Sequence, residues 1–185
     1  ELSTRKAIEL KPDFADAYLN LGNILKDLGK LQEAEILLRK TIDLMPKFAE
    51  AYSNLGGILK DLGKSKEAKI CLDKSIDINP KLINSHLIIY SILIKENKLK
   101  EAEISMRKVI SLKPNYAVAH YNLGNVLNDL GESREAQIQF HKAIELNPDY
   151  AEAHYNLGNI LNNLGKKRDA EKSLKKAIQI KPNYI

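Results

Sequence analysis

The sequence predicts an all-α solenoid of stacked antiparallel helix pairs, and three observations predict it. Its six prolines, Pro12, Pro46, Pro80, Pro114, Pro148 and Pro182, are each 34 residues apart, a period that marks a stacked repeat rather than a single compact core. The glycines keep the same spacing: Gly22, Gly56, Gly124 and Gly158 hold one position of the repeat, Gly29, Gly63, Gly131 and Gly165 a second, and Gly57 alone falls outside. Between these markers the apolar residues recur with the period of a helix.

Residues 1–14 match the end of a preceding repeat, and five whole repeats follow at 15–48, 49–82, 83–116, 117–150 and 151–184, of which 83–116 is divergent. The sequence is therefore expected to begin inside a longer array. In the repeat 117–150 the residues Ala119, His120, Leu123, Gly124, Val126, Leu127 and Leu130 fall on one side of a first helix, the expected core stripe. Gly131 ends that helix, because a residue without Cβ enters the left-handed conformation at little cost. A second helix follows and buries Ala136, Phe140, Ala143, Ile144 and Leu146. Pro148 closes it by withholding an N–H and by restricting the residue before it. Asp149 is expected to cap the next helix. A short turn makes the two helices antiparallel neighbours.

Composition sets further limits. With 44% hydrophobic and 29% charged residues, the chain has no apolar run near the roughly 20 residues that span a bilayer, and no signal or transit segment opens it. Cys71 is the only cysteine, so an internal disulfide is excluded and a reducing, cytoplasmic setting is expected. Lys166, Lys167, Arg168, Lys172, Lys175, Lys176 and Lys181, against Asp169 and Glu171, account for the whole net charge of +5. The rest is nearly neutral, a poor footprint for nucleic acid. The basic run itself reads as a solvated helix face, with attraction to an acidic surface as the alternative.

Small residues recur where the helices must approach closely: the first glycine set on one helix and Ala34, Ala68, Ala102, Ala136 and Ala170 on the other. With Leu21, Leu55, Ile89, Leu123 and Leu157 and the closing proline, this pattern resembles the tetratricopeptide repeat over essentially the whole chain. The resemblance implies a right-handed superhelix whose concave wall is lined by the first helix of each repeat. It also implies a protein or extended peptide as partner and no cofactor, because such an array offers a groove rather than a pocket.

Repeat positions 2, 5, 6, 9, 12 and 13 lie opposite the core stripe, on the expected groove face. Position 6 carries Asn20, Asn54, Asn122 and Asn156, and position 9 carries Asn23, Asn125 and Asn159. Asparagine inside a helix costs several tenths of a kcal/mol relative to alanine, so the placement asks for a reason. A carboxamide both donates and accepts, and pairs with peptide main chain without reading side chains. The alternative is bonding between neighbouring helices, and the sequence leaves both open. The NLGN pattern resembles the repeat superhelix of O-linked N-acetylglucosamine transferase and of bacterial repeat regions preceding glycosyl- or sulfotransferase domains. Tyr121 and Tyr155 at position 5 are expected to pack against a ligand or to shield the groove floor. The same position holds Leu19, Ser53 and Leu87 elsewhere, so the lysine of a chaperone-tail carboxylate clamp is absent. Asp16, Asp27, Glu50, Asp61, Asp129 and Glu152 outnumber Lys26, Lys60 and Lys95 on this face, which disfavours nucleic acid and anionic peptides.

The divergent repeat puts Leu87, Ile88, Ser91 and Ile94 on the groove face and replaces its two glycines with Tyr90 and Asn97. Two readings are open: an apolar patch of Leu87, Ile88 and Ile94 that grips a ligand side chain or a second copy, or a repeat whose helices pack differently around Tyr90. No catalytic constellation is found. His86, His120 and His154 share position 4, one repeat apart and too distant to share a metal, so packing is their expected role. His141 has no partner at ligand spacing, and Cys71 has no evident activating base. The expected function is a non-enzymatic interaction scaffold. The alternatives are the substrate-recruiting arm of a larger transferase, or an architectural array that associates end to end.

Overall fold

The computed structural model describes residues 1–183, so the last position of the fifth repeat, 184, lies outside the described residues. Among the described residues there are eleven α-helices and no strand: α1 (Leu2–Leu10), α2 (Ala15–Asp27), α3 (Leu31–Leu44), α4 (Ala49–Asp61), α5 (Ser65–Ile78), α6 (Ile83–Lys95), α7 (Leu99–Leu112), α8 (Ala117–Asp129), α9 (Ser133–Leu146), α10 (Ala151–Asn163) and α11 (Lys167–Ile180). They fall into two compact units, Glu1–Ile92 and Leu93–Ile185. In the first, α2 packs on α3, α3 on α4 and α4 on α5. In the second, α7 packs on α8, α8 on α9, α9 on α10 and α10 on α11.

Helix ends follow from the repeated glycines and prolines. Gly29, Gly63, Gly131 and Gly165 have φ between +74° and +80°, and Asn97 takes their place with φ +56°, asparagine being among the few other residues that tolerate this region. The following amide turns back to the helix, as when Lys30 N–H donates to Leu25 C=O at 2.8 Å and Lys98 N–H to Leu93 C=O at 2.9 Å. The residue before each proline leaves the helix for extended backbone; Asn147, before Pro148, has φ −141° and ψ 92°.

Helix beginnings differ from expectation. Asp149 does not cap α10, whose N-cap is Tyr150 with no side-chain bond. Instead, Asp149 N–H donates to Asn147 Oδ1 at 3.3 Å. The tight turn after the proline supplies carbonyls for the first amides, as in Ala153 N–H to Tyr150 C=O at 3.1 Å. Acidic residues in the first turn, including Asp16, Glu50 and Glu152, complement the helix dipole.

The first unit closes over Leu21, Leu25, Leu38, Leu55, Ile58, Leu59, Leu72 and Ile92. The second buries Met106, Val109, Leu123, Val126, Leu127, Phe140, Leu157, Ile160 and Leu161. Of the residues read as buried in repeat 117–150, three are only half-buried: Leu130, which follows α8, and Ile144 and Leu146 on α9. The first glycine set lies at the closest helix contacts. A Cβ on Gly56 would stand 2.6 Å from Leu72 Cγ, and one on Gly124 2.7 Å from Phe140 Cε1, distances at which no Cβ fits.

On the surface, ion pairs clasp neighbouring second helices. Arg39 on α3 bonds Glu35 at 2.8 Å and reaches Glu67 on α5 at 3.0 Å, while Lys64 bonds Glu35 at 2.9 Å. Lys64, and after it Arg39, holds the Glu35 carboxyl below the ordinary carboxylate range. A carboxylate with a depressed folded-state pKa stabilises the fold above its unfolded pKa and stops doing so as pH falls through the folded value. Between about pH 5 and pH 3, Glu35→Gln is therefore expected to lose less stability than the parent chain. Parallel acid-unfolding curves of the two proteins would refute the assignment.

Candidate functional site

Position 4 has a structural task. The side chain there bonds the carbonyl of the proline six residues earlier: Tyr18 OH donates to Pro12 C=O at 3.2 Å, and the Nε2 atoms of His86, His120 and His154 lie 3.2, 2.8 and 3.0 Å from the carbonyls of Pro80, Pro114 and Pro148. Tyr18 thus ties α2, and the three histidines tie α6, α8 and α10, to the turn that introduces each helix. His120 Nδ1 also meets Gln139 Oε1 at 2.8 Å. Among the described residues no group of three or more His, Cys, Asp or Glu side chains is placed to hold a metal. Cys71 is half-buried, and burial pushes its thiol pKa up, the opposite of an activated nucleophile.

The asparagines of the expected groove face meet in pairs within each unit. In the first, Asn54 Nδ2 on α4 donates to Asn23 Oδ1 on α2 at 2.9 Å. In the second, Asn156 Nδ2 on α10 donates to Asn125 Oδ1 on α8 at 2.7 Å. The bond runs each time from position 6 of one repeat to position 9 of the repeat before it. Asn156 Nδ2 also approaches the Tyr121 hydroxyl at 3.5 Å. The Tyr121 ring packs at 4.8 Å from Tyr150 and 5.9 Å from Phe140. Tyr155 and Asn122 are half-buried, and Asn20 and Asn159 are exposed.

Gly57 occupies position 9 where the asparagine would stand, and Ile88 occupies position 6 of the following repeat. A Cβ on Gly57 would lie 3.5 Å from Ile88 Cδ1. The one glycine outside the 34-residue spacing therefore sits under the one isoleucine that interrupts the asparagines, and the polar pair has become an apolar contact. Ile88 packs against the core of the first unit. Leu87 is half-buried and Ile94 is 37% exposed, so the three patch candidates differ in cover. Sequence reading missed the Gly57–Ile88 pairing, although a signal existed: both departures are 31 residues apart, the same separation as the two asparagine bonds.

Models of the tetratricopeptide repeat match residues 4–36 and 106–138, 49–82 and 91–116, and 151–184, and a further model described as TPR repeat matches 124–165. No curated protein matches the chain by sequence. Among solved structures, the chain is similar to YrrB, described as "a TPR protein with an unusual peptide-binding site", at 28% identity and a TM-score of 0.82, covering 98% of this chain and 93% of that one. It is similar in fold to MamA, at 24% identity and a TM-score of 0.81 over 87% of this chain and 94% of that one. A MamA fragment from Desulfovibrio magneticus RS-1 aligns at 21% identity and a TM-score of 0.82, over 92% and 96%. These likenesses identify the fold as an all-α helical-repeat superhelix.

Proposed function

This chain belongs to the tetratricopeptide repeat family, and on that premise we propose that it is a non-catalytic interaction scaffold whose first-helix face holds an extended peptide or protein segment by its main chain. The observation that carries this reading is the state of the paired asparagines. Each pair uses one donor of Asn54 or Asn156 and one acceptor lone pair of Asn23 or Asn125. The pairing fixes the orientation of all four amides. It leaves the carbonyl of each donor side chain, the second N–H of Asn54 and the NH2 of each acceptor side chain at half-buried positions, while Asn156 Nδ2 also meets the Tyr121 hydroxyl. Internal bonding and ligand contact are then compatible roles: the bond pre-organises, and the unused groups recognise. Neighbouring repeats about 10 Å apart meet an extended chain, rising about 3.3 Å per residue, at every third residue. YrrB, described as a peptide-binding protein of the same family, adds support.

Selection of extended peptides from a random library against the intact chain tests the proposal. Binders are expected, and the double substitution Asn23→Ala/Asn54→Ala or Asn125→Ala/Asn156→Ala is expected to weaken them about tenfold, the equivalent of one or two net hydrogen bonds. Binders indifferent to both doubles would place recognition elsewhere.

A further inference from the structure

The second helices of the second unit are held together differently at their two junctions. Between α7 and α9, Arg107 bonds Glu135 at 2.7 Å and Lys100 bonds Glu132 at 2.7 Å, with Glu103 bonded to Arg107 at 2.8 Å. One repeat later the same positions hold His141 and Asp169, Arg134 and Lys166, and Gln137. The arginine–glutamate clasp has become a shorter His141–Asp169 couple that does not bond among the described residues. The lysine–glutamate clasp has become two like charges. Lys166 instead contacts Gln137 at 3.5 Å.

The interior beneath this junction changes as well. In the preceding repeat the Gln139 side-chain oxygen lies 2.8 Å from His120 Nδ1 and takes up that edge of the ring. Its counterpart is Ser173, too short to reach His154, whose ring among the described residues is bonded through Nε2 alone, to Pro148 C=O at 3.0 Å. A cavity of about 270 Å³ opens there between α9, α10 and α11. Its apolar lining is Ile144, Leu157 and Leu161, and its polar rim includes His141, His154, Lys166 and Lys172 with Asp169 as the one carboxylate. Lys172 stands where α7 and α9 carry the exposed Ile104 and Ile138.

We propose that this recess binds a small carboxylate with an apolar body. The carboxylate sits among Lys166, Lys172 and the imidazoles, and the body lies on Ile144, Leu157 and Leu161. A volume just under the usual range of small-molecule sites, about 300–1,000 Å³, selects a ligand of fragment size. Two sources share this chemistry: a free aliphatic or aromatic acid, and the C-terminal residue of a peptide that ends in an apolar side chain. The site uses the core-stripe side of α10 rather than the side carrying Asn156 and Asn159, and is independent of the reading above.

Titration of the whole chain, followed by NMR, with phenylacetate, N-acetylleucine, N-acetylleucinamide and inorganic phosphate tests it. Saturable shifts at Ser173 and His154 are expected with phenylacetate or N-acetylleucine at about 1 mM or tighter, the affinity of a fragment with roughly a dozen heavy atoms. Preference for the first assigns a free acid, and preference for the second a peptide C-terminus. N-acetylleucinamide and phosphate, each lacking half of the chemistry, are expected to bind at least tenfold more weakly. Ser173→Gln and Lys172→Ile restore residues of the preceding repeat, and each is expected to reduce acid binding at least tenfold. The proposal is overturned by the absence of saturable binding of either acid, by equal binding of the amide or phosphate, or by acid binding that survives Ser173→Gln.

Discussion

Replacing Phe140 with alanine is expected to destabilise the second unit by about 3–5 kcal/mol, the range for truncating a buried aromatic side chain. Phe140 is 1% exposed, packs against the Tyr121 ring at 5.9 Å and fills the space over Gly124 that no Cβ can share. The loss has two parts: transfer of the ring to water, and the cavity left between α8 and α9. The atoms nearest the Cβ position of Gly124 are those of the Phe140 ring itself, so truncation empties the space over that glycine. Phe140→Leu is expected to cost much less, since Leu38, Leu72 and Leu174 occupy the equivalent place. Because stability in a repeat array is a sum of local terms, the damage should appear first in the second unit. Hydrogen exchange should show α8 and α9 opening while α2 to α5 stay protected. Uniform loss of protection across both units would contradict this local picture.

The second large effect concerns two glycines at the same repeat position that differ in how tightly they are packed. Gly56→Ala is expected to destabilise the first unit by about 1–3 kcal/mol, the usual cost of overpacking. Gly22→Ala is expected to be nearly neutral. At Gly56 the new Cβ would meet Leu72 Cγ at 2.6 Å, Leu72 Cδ2 at 2.8 Å and the Ala68 carbonyl at 3.3 Å, whereas at Gly22 the nearest atom is Leu38 Cγ at 3.1 Å. Alanine gains about 1 kcal/mol of helix propensity over glycine, enough to offset the milder contact at Gly22 and not the clash at Gly56. Denaturant midpoints of the two variants, measured beside the parent chain, decide it. Equal destabilisation of both would mean that helix separation is not what selects glycine here.

The helix ends were legible in the residues because they depend on local backbone chemistry. A glycine in the left-handed region, an asparagine substituting for it at position 97, and an extended residue before each proline are properties of a few neighbouring residues. The expectation that Asp149 caps α10 failed for a related reason. The turn after Pro148 already satisfies the first amides with main-chain carbonyls, so an N-cap side chain has little left to do, and Tyr150 occupies the place. The packing role expected at position 4 fits His86 and His120, both buried, and the half-buried His154. Its second task, bonding the proline carbonyl six residues back, depends on how the turn folds under the helix.

The candidate site was legible as a face but not as contacts. Asn23 and Asn54 were singled out as members of separate rows, one at position 9 and one at position 6, and only helix packing brings them to 2.9 Å. The same packing pairs Gly57 with Ile88 and turns two isolated irregularities into one complementary exchange of polar for apolar contact. The recess between α9, α10 and α11 is further from the sequence still. Each of His141, Asp169 and Ser173 is an unremarkable surface or helix residue alone, and a cavity results only because all three are shorter than the side chains at the preceding junction.

The sequence by itself determined the repeat length, the alternation of helices, the places where they start and stop, and the stripe each helix buries, because a 34-residue period repeats short-range backbone and hydrophobic constraints. Only the tertiary structure decided which asparagines bond each other, how close each glycine lies to its neighbour and where a cavity opens. Those outcomes depend on distances of a few tenths of an ångström between residues about one repeat apart, and close packing rather than local propensity sets them.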